Sequence, residues 1–437
     1  MPDAHADLAT LAEQSGTKFI LALFVDLRGK PCAKLVPVEA VDLLATDGVG
    51  FAGYAVGAMG QEPKDPDMMA IPDPASFTPI PFIKDGLAIV HCDPHVNGEP
   101  WPYAPRVILQ ALIQRAADAG FEPWVGAEVE YFLVHRNADG SLSVADAADT
   151  AAQPCYDARG VTRMYDHLTT ISAAMNTLGW SNYANDHEDG NGQFEQNFQF
   201  ADALTTADRV VTLRYLLSMI AADRGMVATF MPKPFAKKTG SGLHLHLSLT
   251  SGGTPVFPAD DDSRGLGLSE TAYAFIGGIL QHASALQAVV APTVNSYKRT
   301  GATTTVSGAS WTPKTPSYGG NDRTHYIRVP DNARIELRGS DGSANPYLAI
   351  AAALGAGIDG IKRSADPGGI GGQGRSPLPP TLLHAVDEFE ADSVVAGVLD
   401  AAGEGVAGYF ANVKREEFFA YHSAVTRWEI DHYLTAF

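Results

Sequence analysis

Apolar and polar residues alternate in three well-separated stretches of the chain. In G-S-G-L-H-L-H-L-S-L at 240 to 249, Leu243, Leu245, Leu247 and Leu249 fall on one side of an extended backbone, and His244, His246 and Ser248 on the other. G-A-E-V-E-Y-F-L-V at 126 to 134 places Glu128 and Glu130 on one face, and R-I-E-L-R at 334 to 338 sets Arg334, Glu336 and Arg338 against Ile335 and Leu337. Any half-exposed strand alternates, but its outward positions are usually Lys, Thr or Ser. Three strands that present Glu, His and Arg instead predict a sheet with one face in the core and the other facing bound ions.

Around these strands the pattern changes period. Phe19 to Val25, the turn L-R-G-K-P at 27 to 31, and Ala33 to Val36 read as a β-hairpin in a small β-rich first domain. Pro72, Pro74, Pro79 and Pro81 then suggest a long irregular connection ending near Trp101 and Pro102. The stretch from Ala104 to Gly120 reads as a helix, with Pro105 in its first turn and Gly120 at its end. A domain boundary is placed just before it, giving 1–103 and 104–437. Ala207 to Arg224, Ser269 to Val290 and Asp387 to Tyr433 have helical patterning, so the second domain is α+β. P-G-G-I-G-G-Q-G-R-S-P at 367 to 377 contains G-x-G-x-x-G, but it follows a helix and runs into Pro377, which marks a loop.

Composition narrows the function classes. A chain of 437 residues with 45% hydrophobic and 19% charged residues is ordinary globular material. Its formal charge of −19 argues against general binding to nucleic acid or to an anionic membrane. Cys32, Cys92 and Cys155 are widely spaced and odd in number, so a disulfide framework is not expected and a reducing cytoplasm fits. The first residues lack a basic segment followed by an apolar one, and no apolar run reaches membrane-spanning length.

Two further segments carry chemistry. Glu188 and Glu195 flank the Gly-rich turn of N-D-H-E-D-G-N-G-Q-F-E-Q-N-F at 185 to 198, a turn able to bring two carboxylates together. With Glu128, Glu130, Glu336 and His244 they make six ligands, mostly hard oxygens, which suit Mg²⁺ or Mn²⁺. Between 298 and 338, seven basic residues (Lys298, Arg299, Lys314, Arg323, Arg328, Arg334, Arg338) face three acidic ones. Divalent cations beside arginines point to phosphoryl transfer from a nucleotide, without a Walker-type loop.

In order and spacing, E-V-E at 128, H-E-D-G-N-G-Q-F-E at 187, F-M-P-K-P at 230, G-S-G-L-H-L-H at 240, N-S-Y-K-R at 295 and R-I-E-L-R at 334 together resemble the glutamine synthetase superfamily over essentially the whole chain. The resemblance implies an N-terminal β-grasp domain, a catalytic domain with a curved antiparallel sheet, and a dodecamer of two hexameric rings with active sites between subunits. It implies one metal held by Glu130, Glu188 and Glu195 and another by Glu128, His244 and Glu336. It places Arg299 and Arg338 near the glutamate carboxylates, with Gly240 against the amino acid. Arg323 and Arg328 fall near the phosphates, and Arg334, His246 and Ser248 on the nucleotide side. The implied reaction phosphorylates the glutamate side chain with ATP, and an amine then displaces phosphate.

This chain departs from that pattern where ammonium would bind. The usual F-D-G-S-S reads F-A-G-Y-A at 51 to 55, so Ala52 replaces a carboxylate. No Glu occurs from 271 to 335, which removes the flap glutamate from G-A-T-T-T-V-S-G-A-S-W at 301 to 311, and Thr239 replaces an Asn. Losing two acceptors weakens a site for small, strongly hydrated ammonium, while Ala in place of Asp leaves room beside an apolar methyl, a change that fits an alkylamine. The wording resembles the type III-like branch that includes γ-glutamylmethylamide synthetases, and methylamine is the expected amine. An alkylammonium with a pKa near that of lysine, about 10.4, must lose a proton before it attacks, and Asp67 is the candidate acceptor. Ammonia, other primary amines and a non-catalytic nitrogen sensor are the alternatives. A sensor would be expected to have lost metal ligands. The regulatory tyrosine segment of some bacterial members is missing, so nucleotidylation control is not expected.

Overall fold

The computed structural model describes residues 7–302 and 305–437. Two sheets organise it. The first follows the order Pro31–Pro37, Phe19–Val25, Leu87–Val96, Met68–Pro72, Val49–Phe51, with a parallel pair between Phe19–Val25 and Leu87–Val96 and antiparallel neighbours elsewhere. Its central strands are apolar on both faces because both faces are covered. Ile20, Ala22 and Phe24 enter a small core with Leu8, Ala12 and Leu44, whereas Leu23 and Val25 enter the main core.

The second sheet follows the order Asn182–His187, Gln193–Phe198, Glu122–Arg136, Leu243–Ser251, Arg334–Leu337, Ile327–Asp331, Tyr318–Gly319. It is curved and antiparallel through its first six strands, and helices surround it, an α+β architecture. Leu243, Leu245, Leu247 and Leu249 are all buried with Val125, Ala127 and Val129 from the neighbouring strand. Helix Pro346–Arg363 lies deep in the same core, its N-terminus capped by Asn345, whose side chain also donates to Asp26 O at 3.0 Å.

Two sequence expectations are corrected. The proline-punctuated connection contains the ten-residue strand Leu87–Val96, the middle of the first sheet. Its apolar run Leu87 to Val90 is short enough to be masked by the prolines around it. The helical stretch from Ser269 to Val290 is two helices, Glu270–Gln281 and Ala283–Val290, bent by 74° at His282. The imidazole of His282 bridges Asp392 (2.6 Å) and Asp359 (3.1 Å), which fixes the break. No single helix among the described residues is long and apolar enough to cross a membrane.

A buried ionic cluster ties the first sheet to the helices packed beside it. Arg106, on helix Pro105–Asp118, reaches Asp73 (2.5 Å), Asp93 (2.9 Å) and Asp208 (3.1 Å). Tyr347 donates to Asp208 at 2.6 Å, and His91 stands beside both.

Candidate active site

Register across four strands of the second sheet builds the site. Glu195 lies opposite Glu130, Glu128 opposite His244, and His246 opposite Glu336. Because each strand shows alternate residues on one face, the pairing gathers the ion-facing side chains into one patch. His244 Nδ1 is 3.1 Å from Glu128, 3.6 Å from Glu130 and 3.7 Å from Glu336. Three groups have ligand atoms close enough to share an ion: Glu128, His244 and Glu336; Glu130, Glu195 and His244; and Asp186, Glu188 and Glu195. All six expected ligands therefore converge, with His244 and Glu195 each shared between two groups. Asp186 joins them without having been singled out from sequence.

The electrostatics fit cations. Burial, then the neighbouring carboxylates, push Glu188 and Glu195 well above the usual range, and Asp186 rises to about 6 for the same reasons. Burial also acts to raise Glu128 and Glu336, but His244 and His246 hold Glu128 below its ordinary value, and His244 with Arg338 does the same for Glu336. So many buried carboxylates with one imidazole form a donor set for a hard divalent ion, which would neutralise their mutual repulsion.

Beside this patch is a cavity of about 260 Å³ lined by Glu130, Glu188, Glu195, Gly240, Arg299 and Arg338, with Arg323, Asp189 and Trp311 also on its wall. Arg299 is buried at 3% exposure, and among the described residues its Nε and Nη1 have no partner. A guanidinium left this way is suited to an anion entering the cavity. Gly240 permits the approach: a Cβ there would lie 2.4 Å from Pro232 O and 2.7 Å from Arg299 Cγ. Arg338 pairs with Glu336, just past the end of strand Arg334–Leu337.

The expected nucleotide-side residues continue the polar ladder beyond the cavity wall. Arg334 Nε donates to His246 Nδ1 at 3.1 Å, and His246 Nε2 lies 2.8 Å from Glu128. Arg328 donates to Glu336 at 2.6 Å, and Ser248 lies two residues along the strand from His246.

Ala52 and Asp67 are not brought to the cavity within the chain. They extend past the Phe51–Met68 pair of one hairpin, and both are exposed, as is Tyr54. Trp311 does line the cavity, and of the flap segment 301–311, Thr303 and Thr304 lie outside the described residues.

Residues that sequence reading passed over include Gln193. Its amide donates to Glu130 and to Gly240 O, each at 3.1 Å, and accepts from Thr239 at 2.9 Å. The signal was available: Gln193 and Glu195, like Asp186 and Glu188, have the same i, i+2 spacing as Glu128 and Glu130.

Comparison with known proteins agrees with this geometry. The family model "Glutamine synthetase, catalytic domain" matches residues 102–433. A glutamine synthetase of Rhizobium leguminosarum bv. phaseoli is 42% identical, over 97% of this chain and 98% of that protein. A glutamate–methylamine ligase of Methyloversatilis universalis is 38% identical, with the same coverage of both chains. A solved structure described as a GmaS/ADP complex superposes with a TM-score of 0.92 at 46% identity, covering 98% of this chain and 99% of the other. The chain belongs to the glutamine synthetase family and is an ATP-dependent ligase of that family.

Proposed function

We propose that the protein joins glutamate to methylamine, forming γ-glutamylmethylamide with release of ADP and phosphate. The observation that carries this reading is the missing pair of acceptors: Ala52 stands in place of a carboxylate, and the segment closing the cavity holds Trp311 and no glutamate. Similar proteins carry both names, at 42% and 38% identity, so overall likeness does not choose the amine. The likeness to GmaS structures at 46% and 45% identity supports methylamine.

In this reading Arg299 and Arg338 bind the glutamate carboxylates, and Gly240 lets the amino acid approach. The γ-carboxylate oxygen attacks the terminal phosphorus of ATP, and ADP leaves. The amine nitrogen then attacks the acyl carbon, phosphate leaves, and the nitrogen gives up a proton. Arg323 and Arg328 face the transferred phosphoryl group, and His246, Ser248 and Arg334 the nucleotide. Glu130, Glu188 and Glu195 would hold one Mg²⁺ or Mn²⁺, and Glu128, His244 and Glu336 another, supplying charge neutralisation at the phosphates.

The same proposal divides the chain at residue 103 and closes each site between subunits of a dodecamer. There Ala52 and Asp67, exposed in one chain, would complete a neighbour's cavity, with Asp67 taking the proton. Phosphate release with ATP, Mg²⁺ and glutamate, measured against methylamine, ethylamine and ammonia, tests it. A kcat/KM for methylamine well above that for ammonia is the expected result; preference for ammonia returns the protein to glutamine synthesis.

A further inference from the structure

Four carboxylates line the cavity: Glu130, Glu188, Asp189 and Glu195. Three belong to the groups able to share a metal, and Asp189 belongs to none of them. Asp189 is nonetheless buried, at 8% exposure. Its Oδ2 accepts from Trp311 Nε1 at 2.7 Å and from the Ser307 hydroxyl. No hydrogen bond from the described residues reaches its Oδ1.

Trp311 is unusual in its own right. It has φ +54°, a left-handed conformation that a bulky side chain adopts at a cost, and its ring is half exposed. The bond from its indole to Asp189 holds it there, and Ser307 ties the same loop to the same carboxylate. The loop is secured again where Val306 N donates to Lys237 O at 2.9 Å.

The cavity's arginines answer the anionic parts of glutamate and phosphate, and its clustered carboxylates answer metals. Asp189 is then the one lining carboxylate in none of the metal-sharing groups, and of the two aromatic rings on the wall, Trp311 and Tyr156, Trp311 is the one bonded to it. That pair is complementary to a small cation carrying an apolar group, since a carboxylate binds N–H groups and an aromatic ring attracts both positive charge and methyl.

We infer that Asp189 and Trp311 form the amine subsite, with Asp189 Oδ1 accepting from the nitrogen of the alkylammonium and the Trp311 indole covering its methyl group. The subsite rests on the methylamine reading above and adds to it a source of selectivity within a single chain. Asp189 would replace in function the acceptors lost at Ala52 and in the flap, from the loop wall that Trp311 shares.

The test uses the full-length protein with Asp189→Asn, Trp311→Ala and Trp311→Phe. KM is measured for methylamine, ammonia, glutamate and ATP, with thermal unfolding as a check on folding. Asp189→Asn keeps an acceptor for Trp311 and removes the charge, so KM for methylamine should rise about tenfold or more while KM for glutamate and ATP stays within about twofold. Trp311→Ala should raise KM for methylamine about tenfold more than KM for ammonia, and Trp311→Phe should keep most of the methylamine preference. An unchanged KM for methylamine in both Asp189→Asn and Trp311→Ala overturns the subsite, as does an equal rise for all four substrates. If Asp189→Asn does not fold, the half-exposed Trp311 variants decide alone. A wild-type preference for ammonia sinks the methylamine reading instead; the carboxylate's part is then read from KM for ammonia in Asp189→Asn, and no change there overturns it as well.

Discussion

The cavity has two unlike walls. One is the sheet face, where Glu130, Glu195 and His244 project from paired strands at fixed spacing and are almost fully buried. The other is made of loops, where Trp311 is half exposed and Asp189 lies between strand Asn182–His187 and the turn that follows it. A strand's position is set by many ladder hydrogen bonds, so a side chain there can be aimed within a fraction of an ångström. A loop tolerates substitution, which is where a shared phosphoryl-transfer chemistry can be given a different amine.

The largest expected contrast comes from breaking the sheet wall. Glu195→Ala removes a side chain placed in two ligand groups and should lower kcat/KM about a thousandfold or more for every amine, measured by phosphate release over a Mg²⁺ series. If activity with one amine survives, the division between walls is wrong.

Next is Arg299→Ala. A charge-assisted bond of about 1.5–3 kcal/mol corresponds to a rise of about ten- to a hundredfold in KM for glutamate. Its Nε and Nη1 have no partner among the described residues, so Tm should change little.

A smaller effect is expected at Ala52, just past strand Val49–Phe51. Ala52→Asp restores a carboxylate and should shift the ratio of methylamine to ammonia turnover about tenfold toward ammonia, or about 1.4 kcal/mol. No change in that ratio would confine selectivity to the loop wall.

The smallest concerns pH in the metal-free protein. Asp186 is raised to about 6 when folded, by burial and by Glu128 and Glu130, so the folded state holds its proton longer than the unfolded state does. Its contribution is present below about pH 4 and is lost as pH rises through about 6. Glu188 and Glu195, raised by the same causes, lose stability in the same direction as pH rises. The Tm of metal-free protein should therefore fall by a few degrees across that range, and added Mg²⁺ should flatten the slope. A Tm that rises instead would show that these carboxylates do not repel one another.

The contrast between walls also explains what the sequence made legible. Glu128, Glu130, His244 and Glu336 stood out because strand alternation sets a polar residue between apolar ones. Asp186 and Gln193 share that spacing but sit among polar neighbours, which hides the period. Asp189 and Trp311 have no period at all, since a turn and a loop bring them together across 122 positions. The strand Leu87–Val96 was obscured for a different reason: its apolar half is short, and Pro94 lies within it. The break at His282 depends on Asp359 and Asp392, far along the chain, so local propensity could not show it.

The Arg106 cluster bears on how this protein could be recombined with its relatives. Its guanidinium belongs to helix Pro105–Asp118, Asp93 to strand Leu87–Val96, Asp73 to the residue just past strand Met68–Pro72, and Asp208 to helix Ala203–Ala222. A chimaera joined at residue 103 would match one parent's arginine to another's acids and, wherever they differ, strand a buried charge at a cost of about 3–5 kcal/mol. Carrying Asp73, Asp93, Arg106 and Asp208 across as a set would let the first sheet be exchanged between relatives without loosening the seam that holds it.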